Sequence, residues 1–159
     1  MRFVADGMLG KLARWLRLLG HDVEYYNSLT DSELEHIAEE SRRILLTRDL
    51  ELYQHASSRG IQVFYLEGQS EPARLAELAK RFGISLTIDL NNSRCPKCNA
   101  RIKEVPKETV RGKVKPNTLE HYDAFWVCRR CGQVYWQGAH WKKIRSVLEA
   151  AKEKVKGAA

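Results

Sequence analysis

Apolar residues recur along the first half of the chain in two alternating rhythms. Arg2–Ala5 is a short apolar run ended by Asp6-Gly7 and reads as a strand. Leu9, Leu12, Ala13, Leu16 and Leu19 follow at helical spacing, and Gly20 stops them. Asp22–Tyr26 alternates again, with Val and Tyr, and predicts a second strand. Thr30 and Glu33 have the spacing of a capping box, opening a helix that continues through Leu34, Ile37 and Ala38. Arg43–Thr47 reads as a third strand, Leu50–Ser57 as a helix and Ile61–Leu66 as a fourth strand. Ala73–Phe82 reads as a helix ending at Gly83, and Ile84–Ile88 as a last short strand. Strands separated by helices of this length predict an α/β fold, a parallel sheet with helices on both faces.

The rhythm changes after residue 90. Asn91-Asn92-Ser93 is a polar joint, which divides the chain into 1–90 and 91–159. Arg101–Val105 and Thr109–Val114 alternate like strands, punctuated by Pro106 and Pro116. Phe125–Val127 and Gln133–Trp136 read as two more. Trp141–Val155 returns to helical spacing through Ile144, Val147, Leu148 and Ala151. A small β module followed by a C-terminal helix is expected here.

All four cysteines fall in this second part, as Cys95-Pro96-Lys97-Cys98 and Cys128-Arg129-Arg130-Cys131. A CxxC places two sulfurs on one tight turn, and two such turns make the closed tetrahedral thiolate site that Zn²⁺ favours. The 29 residues between the pairs exceed the roughly 15–20 of short zinc modules, so the intervening loop is long. The competing reading is redox pairs or disulfides. A redox CxxC opens a helix after a strand, whereas Pro96 and Arg129-Arg130 sit in turn-like contexts. Strands radiating from two metal-binding turns form a zinc ribbon, which depends on its metal for stability. Cysteine confined to metal-type pairs fits a reducing compartment. No run of 18 apolar residues is present, and the start reads as a strand rather than a signal peptide, so a cytoplasmic protein is expected.

Charge sharpens the division. The net formal charge is +7, but residues 1–90 carry 11 Lys+Arg against 14 Asp+Glu, and residues 91–159 carry 16 against 6. Four thiolates and one Zn²⁺ would leave the second part at about +8. Such an imbalance points to a polyanionic partner, because phosphate neutralisation releases counterions. Trp136, His140 and Trp141 lie among these cations. Trp136 is a candidate for stacking on unpaired bases, and His140 for contacting a phosphate or acting as a general acid. The alternative is that the aromatics form the ribbon's own small core.

Functional groups in parallel α/β sheets collect at the carboxyl ends of the strands. Asp6 directly follows the first strand, Asp49 follows the third in Leu45-Leu46-Thr47-Arg48-Asp49, and Asp31 starts the helix after the second. If the loops are neighbours, three carboxylates converge, an arrangement that calls for a divalent cation. Oxygen ligands of this kind suit Mg²⁺ or Mn²⁺, which activates water at a phosphodiester. Each aspartate alone is equally a helix cap or turn residue. Lys11, Arg14 and Arg17 on the first helix, and Arg48 beside Asp49, are candidates for holding backbone phosphates. The competing reading of the helix cations is a solvated face opposite Leu9, Leu12, Leu16 and Leu19.

Phe3 through Gly20, then Asp31, then Leu46-Thr47-Arg48-Asp49 and Arg94-Cys95-Pro96-Lys97-Cys98-Asn99 resemble the Mut-seven C-terminal RNase family. So do Phe125, Cys128–Gly132 and Val134–His140; the resemblance covers residues 2–148. It implies a PIN-like nuclease domain followed by a zinc ribbon, and a metal-dependent endoribonuclease; RNA is the expected partner, with the ribosome or tRNA as candidates. Asp6, Asp31 and Asp49 take the positions of its acidic metal ligands. The chain departs from the PIN pattern in one respect. A fourth acidic residue is usual there, and the candidates Glu33, Glu35 and Asp89 do not match its place. A non-catalytic RNA- or ribosome-binding module with a nuclease-like fold is the alternative.

Overall fold

The computed structural model describes residues 1–157. Four strands, β1 (Arg2–Ala5), β2 (Asp22–Tyr25), β3 (Ile44–Thr47) and β4 (Val63–Tyr65), form a parallel sheet in the order β2-β1-β3-β4. Their register pairs Val4 with Glu24 on one side and Leu45 on the other. The strands are joined by α1 (Gly10–Leu18), α2 (Asp31–Glu40) and α3 (Leu50–Ser58), and β4 leads into α4 (Glu71–Phe82).

Strand alternation sends each apolar side chain to one of two cores. Phe3, Ala5, Ile44 and Leu46 face Leu12, Ala13 and Leu16 of α1 and Leu75 and Leu78 of α4. Val4 and Leu45 face Leu34 and Ala38 of α2 and Leu52 and Ala56 of α3. Helices therefore cover both faces, as expected. The β1-to-β2 connection runs one way along the sheet and the β3-to-β4 connection the other, so right-handed crossovers put α1 and α3 on opposite faces. Local signals agree. Thr30 and Glu33 form the capping box on α2, Ser70 caps α4, and Gly83 ends it at φ 70°.

Residues 84–88 are not a strand. Ile84 and Leu86 are buried in the α1/α4 core while Ser85 and Thr87 are exposed. The alternation records burial against helices, without a ladder partner. Thr109–Val114 is not a strand either. Lys107–Val110 is a turn of 3-10 helix, Gly112 takes φ 84°, and Pro116 opens α5 (Pro116–His121). The second sheet is antiparallel in the order β5 (Ile102–Val105), β6 (Phe125–Cys128), β7 (Val134–Tyr135). The final helix, α6 (Trp141–Lys156), reaches both parts. Leu148 and Ala151 enter the core under α1 and α4, and Trp141 packs beside Cys95 and Trp126. No described helix is long and apolar enough to cross a membrane.

Candidate functional site

The sheet order reverses at β1, whose successor β2 lies on one side and β3 on the other. The crevice outside the carboxyl ends of β1 and β3 is where such sheets place ligands. Asp6 sits there at the end of β1, and its backbone N–H donates to the Leu46 carbonyl at 3.0 Å. Asp49 caps α3, with Oδ1 accepting from the amides of Glu51 (2.9 Å) and Leu52 (3.3 Å). Thr47, fully buried at the end of β3, ties the two together. Its hydroxyl donates to Asp6 Oδ2 at 2.8 Å and accepts from the Asp49 amide at 2.9 Å. Asp31 is exposed in the first turn of α2.

Loss of part of its hydration, and then the charges of Asp49 and Asp6, push the exposed Asp31 carboxyl above its usual range. Asp31 thus feels the negative charge of its two neighbours. Among the described residues, Asp6 Oδ1, Asp49 Oδ2 and both Asp31 oxygens accept no hydrogen bond. The trio is not drawn into a tight ligand cage. Among the described residues only the four cysteines gather within 4.8 Å of one another.

The acids considered for a fourth position are occupied elsewhere. Glu33 completes the α2 capping box. Glu35 is buried and clamped between His55 (2.5 Å) and Arg59 (2.7 Å). Burial opposes its charge, but these two partners hold its carboxyl below the usual range. Asp89 caps the short turn at Leu90–Asn92.

The candidate phosphate contacts divide. Lys11 and Arg14 are exposed on α1, and Arg14 lines a hollow with Gly10 and Tyr25. Arg48 is half-buried and donates to the Gly68 carbonyl. Arg17 requires a correction. It is buried, and its guanidinium donates to the Val23 carbonyl (3.0 and 2.8 Å) and the Pro96 carbonyl (2.9 Å). Its place on α1 turns it inward to join the two parts, so it does not hold a phosphate. Trp136 is half-buried, tilted at 50° to Phe125 in the ribbon core. His140 is exposed, with its ring edge-on to Trp141 at 6.3 Å. Both line a hollow of about 330 Å³ with Trp141 and Tyr135.

The cysteine site is closed. Cys95 and Cys131 Sγ atoms are 3.7 Å apart, and those of Cys98 and Cys128 are 3.3 Å apart. A tetrahedron with metal–sulfur bonds of about 2.3 Å has edges of about 3.8 Å, so the four sulfurs fit one metal ion. The Tyr135 hydroxyl and Cys95 Sγ share a hydrogen bond at 2.9 Å, the kind of outer partner that orients a ligand. Burial pushes the Cys95 thiol up to about 12. The Cys128 thiol also meets burial, but the Cys131 amide and the Cys98 thiol draw it down to about 7. The two turns share a backbone device: Asn99 and Gly132, each following its second cysteine, take φ 73° and 80°.

The family model for the Mut7-C RNAse domain matches residues 1–148. The chain belongs to the Mut7-C RNAse domain family. That match takes in the aspartate crevice and both cysteine turns in one unit. No curated protein and no solved structure matches the chain significantly. Sequence reasoning missed Thr47 and Tyr25, whose hydroxyl donates to the Gly7 carbonyl at 2.7 Å. The signal for Thr47 was a buried hydroxyl two residues before Asp49 in an otherwise apolar strand. Tyr25 carried none beyond alternation.

Proposed function

We propose that this Mut7-C protein is a metal-dependent endoribonuclease, with Asp6, Asp31 and Asp49 as the ligands of Mg²⁺ or Mn²⁺ and RNA as substrate. The observation that carries the reading is Asp6 and Asp49 at the ends of β1 and β3, where the sheet order reverses, with Thr47 bonded to both and Asp31 close enough to feel their charge. The charges of Asp49 and Asp6 push the Asp31 carboxyl up, and a bound cation would offset that repulsion. Thr47 fixes the Asp6 carboxylate and the start of α3 relative to each other. The charge at the site suits a bound metal, which supplies activated water and stabilises charge developing on a phosphodiester. Lys11 and Arg14, exposed on α1, and Arg48, next to Asp49 in the chain, would hold backbone phosphates.

Zn²⁺ is the metal best suited to the four cysteines, since closed Cys₄ sites of this geometry are structural zinc sites. It would hold the ribbon together and leave chemistry to the carboxylates. The Trp136 indole, partly packed on Phe125, and the exposed His140 ring are available to RNA from the ribbon side. Localisation in the cytoplasm, and tRNA or the ribosome as the RNA, belong to this proposal as well. The alternative of a binding module without catalysis rests on Glu33, Glu35 and Asp89 being engaged elsewhere.

The test is incubation of structured and unstructured RNA with the full chain. Cleavage in Mn²⁺ or Mg²⁺, abolished when those ions are left out, is the expected outcome. RNA binding with no cleavage under any of these metals would leave the binding module as the function.

A further inference from the structure

We propose that the seam between the first cysteine turn and the β2 edge is a channel for single-stranded RNA, gripping the phosphates of the strand that leads to the aspartates. The proposal rests on the ribonuclease reading for what lies at the end of that channel. The seam opens into a hollow of about 520 Å³. Its wall carries Arg17, Arg43, Arg94, Lys97 and Arg130 against Asp22 and Glu24. Even the −2 charge of a tetrathiolate zinc centre leaves this wall net positive.

Two of the five cations are committed. Arg17 donates to backbone carbonyls, and Arg43 pairs with Asp22 and Glu24 at 2.8 and 3.4 Å. The other three have capacity to spare. Lys97 is exposed and, among the described residues, pairs with no carboxylate; Arg130 reaches only the Cys98 carbonyl at 3.3 Å. Arg94 donates from Nη1 to the Asn99 carbonyl. Tyr26 is half-exposed on the same wall and offers a ring face to an unpaired base.

The channel continues toward the acids. A second hollow of about 380 Å³, lined by Gly10 and Arg14, shares Arg17, Tyr25 and Lys97 with the first. Tyr25 in turn is bonded to the Gly7 carbonyl, next to Asp6. A Cβ on Gly10 would sit 2.9 Å from the Tyr25 hydroxyl, so glycine is what lets this wall close on α1. Unpaired bases can splay out to stack on a ring such as that of Tyr26, which a duplex does not offer, so a single strand is the expected occupant.

The test is fluorescence anisotropy of the full chain with a labelled 12-nucleotide single-stranded RNA and with the matching duplex, without added divalent ion. Lys97→Glu/Arg130→Glu is compared with Lys154→Glu/Lys156→Glu, which makes the same charge change near the far end of α6. The seam pair should raise the single-strand Kd at least tenfold and flatten its salt dependence by about 0.7 per lost phosphate contact. The α6 pair should raise it less than threefold, and wild type should prefer the single strand. Unchanged affinity in the seam variant with its zinc content intact overturns the channel; so does equal weakening by both variants, or a preference for duplex. The binding readout needs no cleavage, so an inactive wild type would sink the nuclease reading and leave this result standing on its own.

Discussion

At the scale of single residues, side chains that look alike in the sequence play different parts. Arg14 and Arg17 lie on one helix three residues apart, yet one is exposed and the other is buried against the Val23 and Pro96 carbonyls. Asp22 is another such residue. Burial alone would raise its carboxyl, but hydrogen bonds from Arg43 and Asn99 overcome this and hold it at about 2. A carboxyl lowered in the folded state stabilises fully above its unfolded pKa of about 4, and this contribution fades as pH falls toward 2. Asp22→Asn should therefore be less stable than wild type at pH 7, and the gap should close between about pH 4 and 2. Urea midpoints across that range measure it; loss of bound metal in acid affects both proteins alike. That Asp6 and Asp49 follow strands and Asp31 opens a helix was legible, because strand ends and helix starts in a parallel sheet are predictable positions. Arg17 was not, because periodicity marks the face of α1 toward its own core and says nothing of a second module packed beside it.

At the scale of elements, the parallel sheet and its helices follow the apolar rhythm closely, because each strand is buried on both faces and each helix on one. The two segments misread as strands, 84–88 and 109–114, alternate for other reasons: one lies along a helical core, the other is broken by Gly112 and the approach to Pro116. The cysteine turns show how local chemistry becomes tertiary contact. Asn99 and Gly132 occupy the same left-handed position, which asparagine tolerates better than most residues. Asn99 uses its side chain as well, accepting from the Val23 amide at 3.0 Å and donating to Asp22 at 2.7 Å. The outer edge of β2 is thereby capped instead of left open to pairing. Stripping the metal should unfold β5–β7, release this edge and expose Trp126, while the helices of the first sheet persist. Near-ultraviolet circular dichroism lost on chelation, with most far-ultraviolet helical signal retained, is the expected pattern.

At the scale of the whole molecule, the two parts form one surface. Arg17–Pro96, Val23–Asn99 and Arg94–Arg17 contacts join positions 76 to 79 apart in sequence. Gly20, at φ 101°, has room only because it lacks a Cβ, which would meet the Asn92 carbonyl at 2.9 Å. No periodicity encodes such a junction, so the sequence supports a division near residue 90 without saying that α6 would pack against α4 and the cysteine turn together. The surplus of basic residues after position 90 takes on meaning only once that part is docked on α1 and the β2 edge. In this account an acidic sheet end cuts RNA, and a basic ribbon delivers it. The most direct test is the Mn²⁺-dependent cleavage rate of one RNA by wild type, Asp6→Asn and Asp49→Asn, each checked for fold and zinc content. The account predicts cleavage by wild type and losses of at least about 100-fold in both variants, each loss corresponding to about 2.7 kcal/mol of transition-state stabilisation. Cleavage at the wild-type rate by both would contradict it.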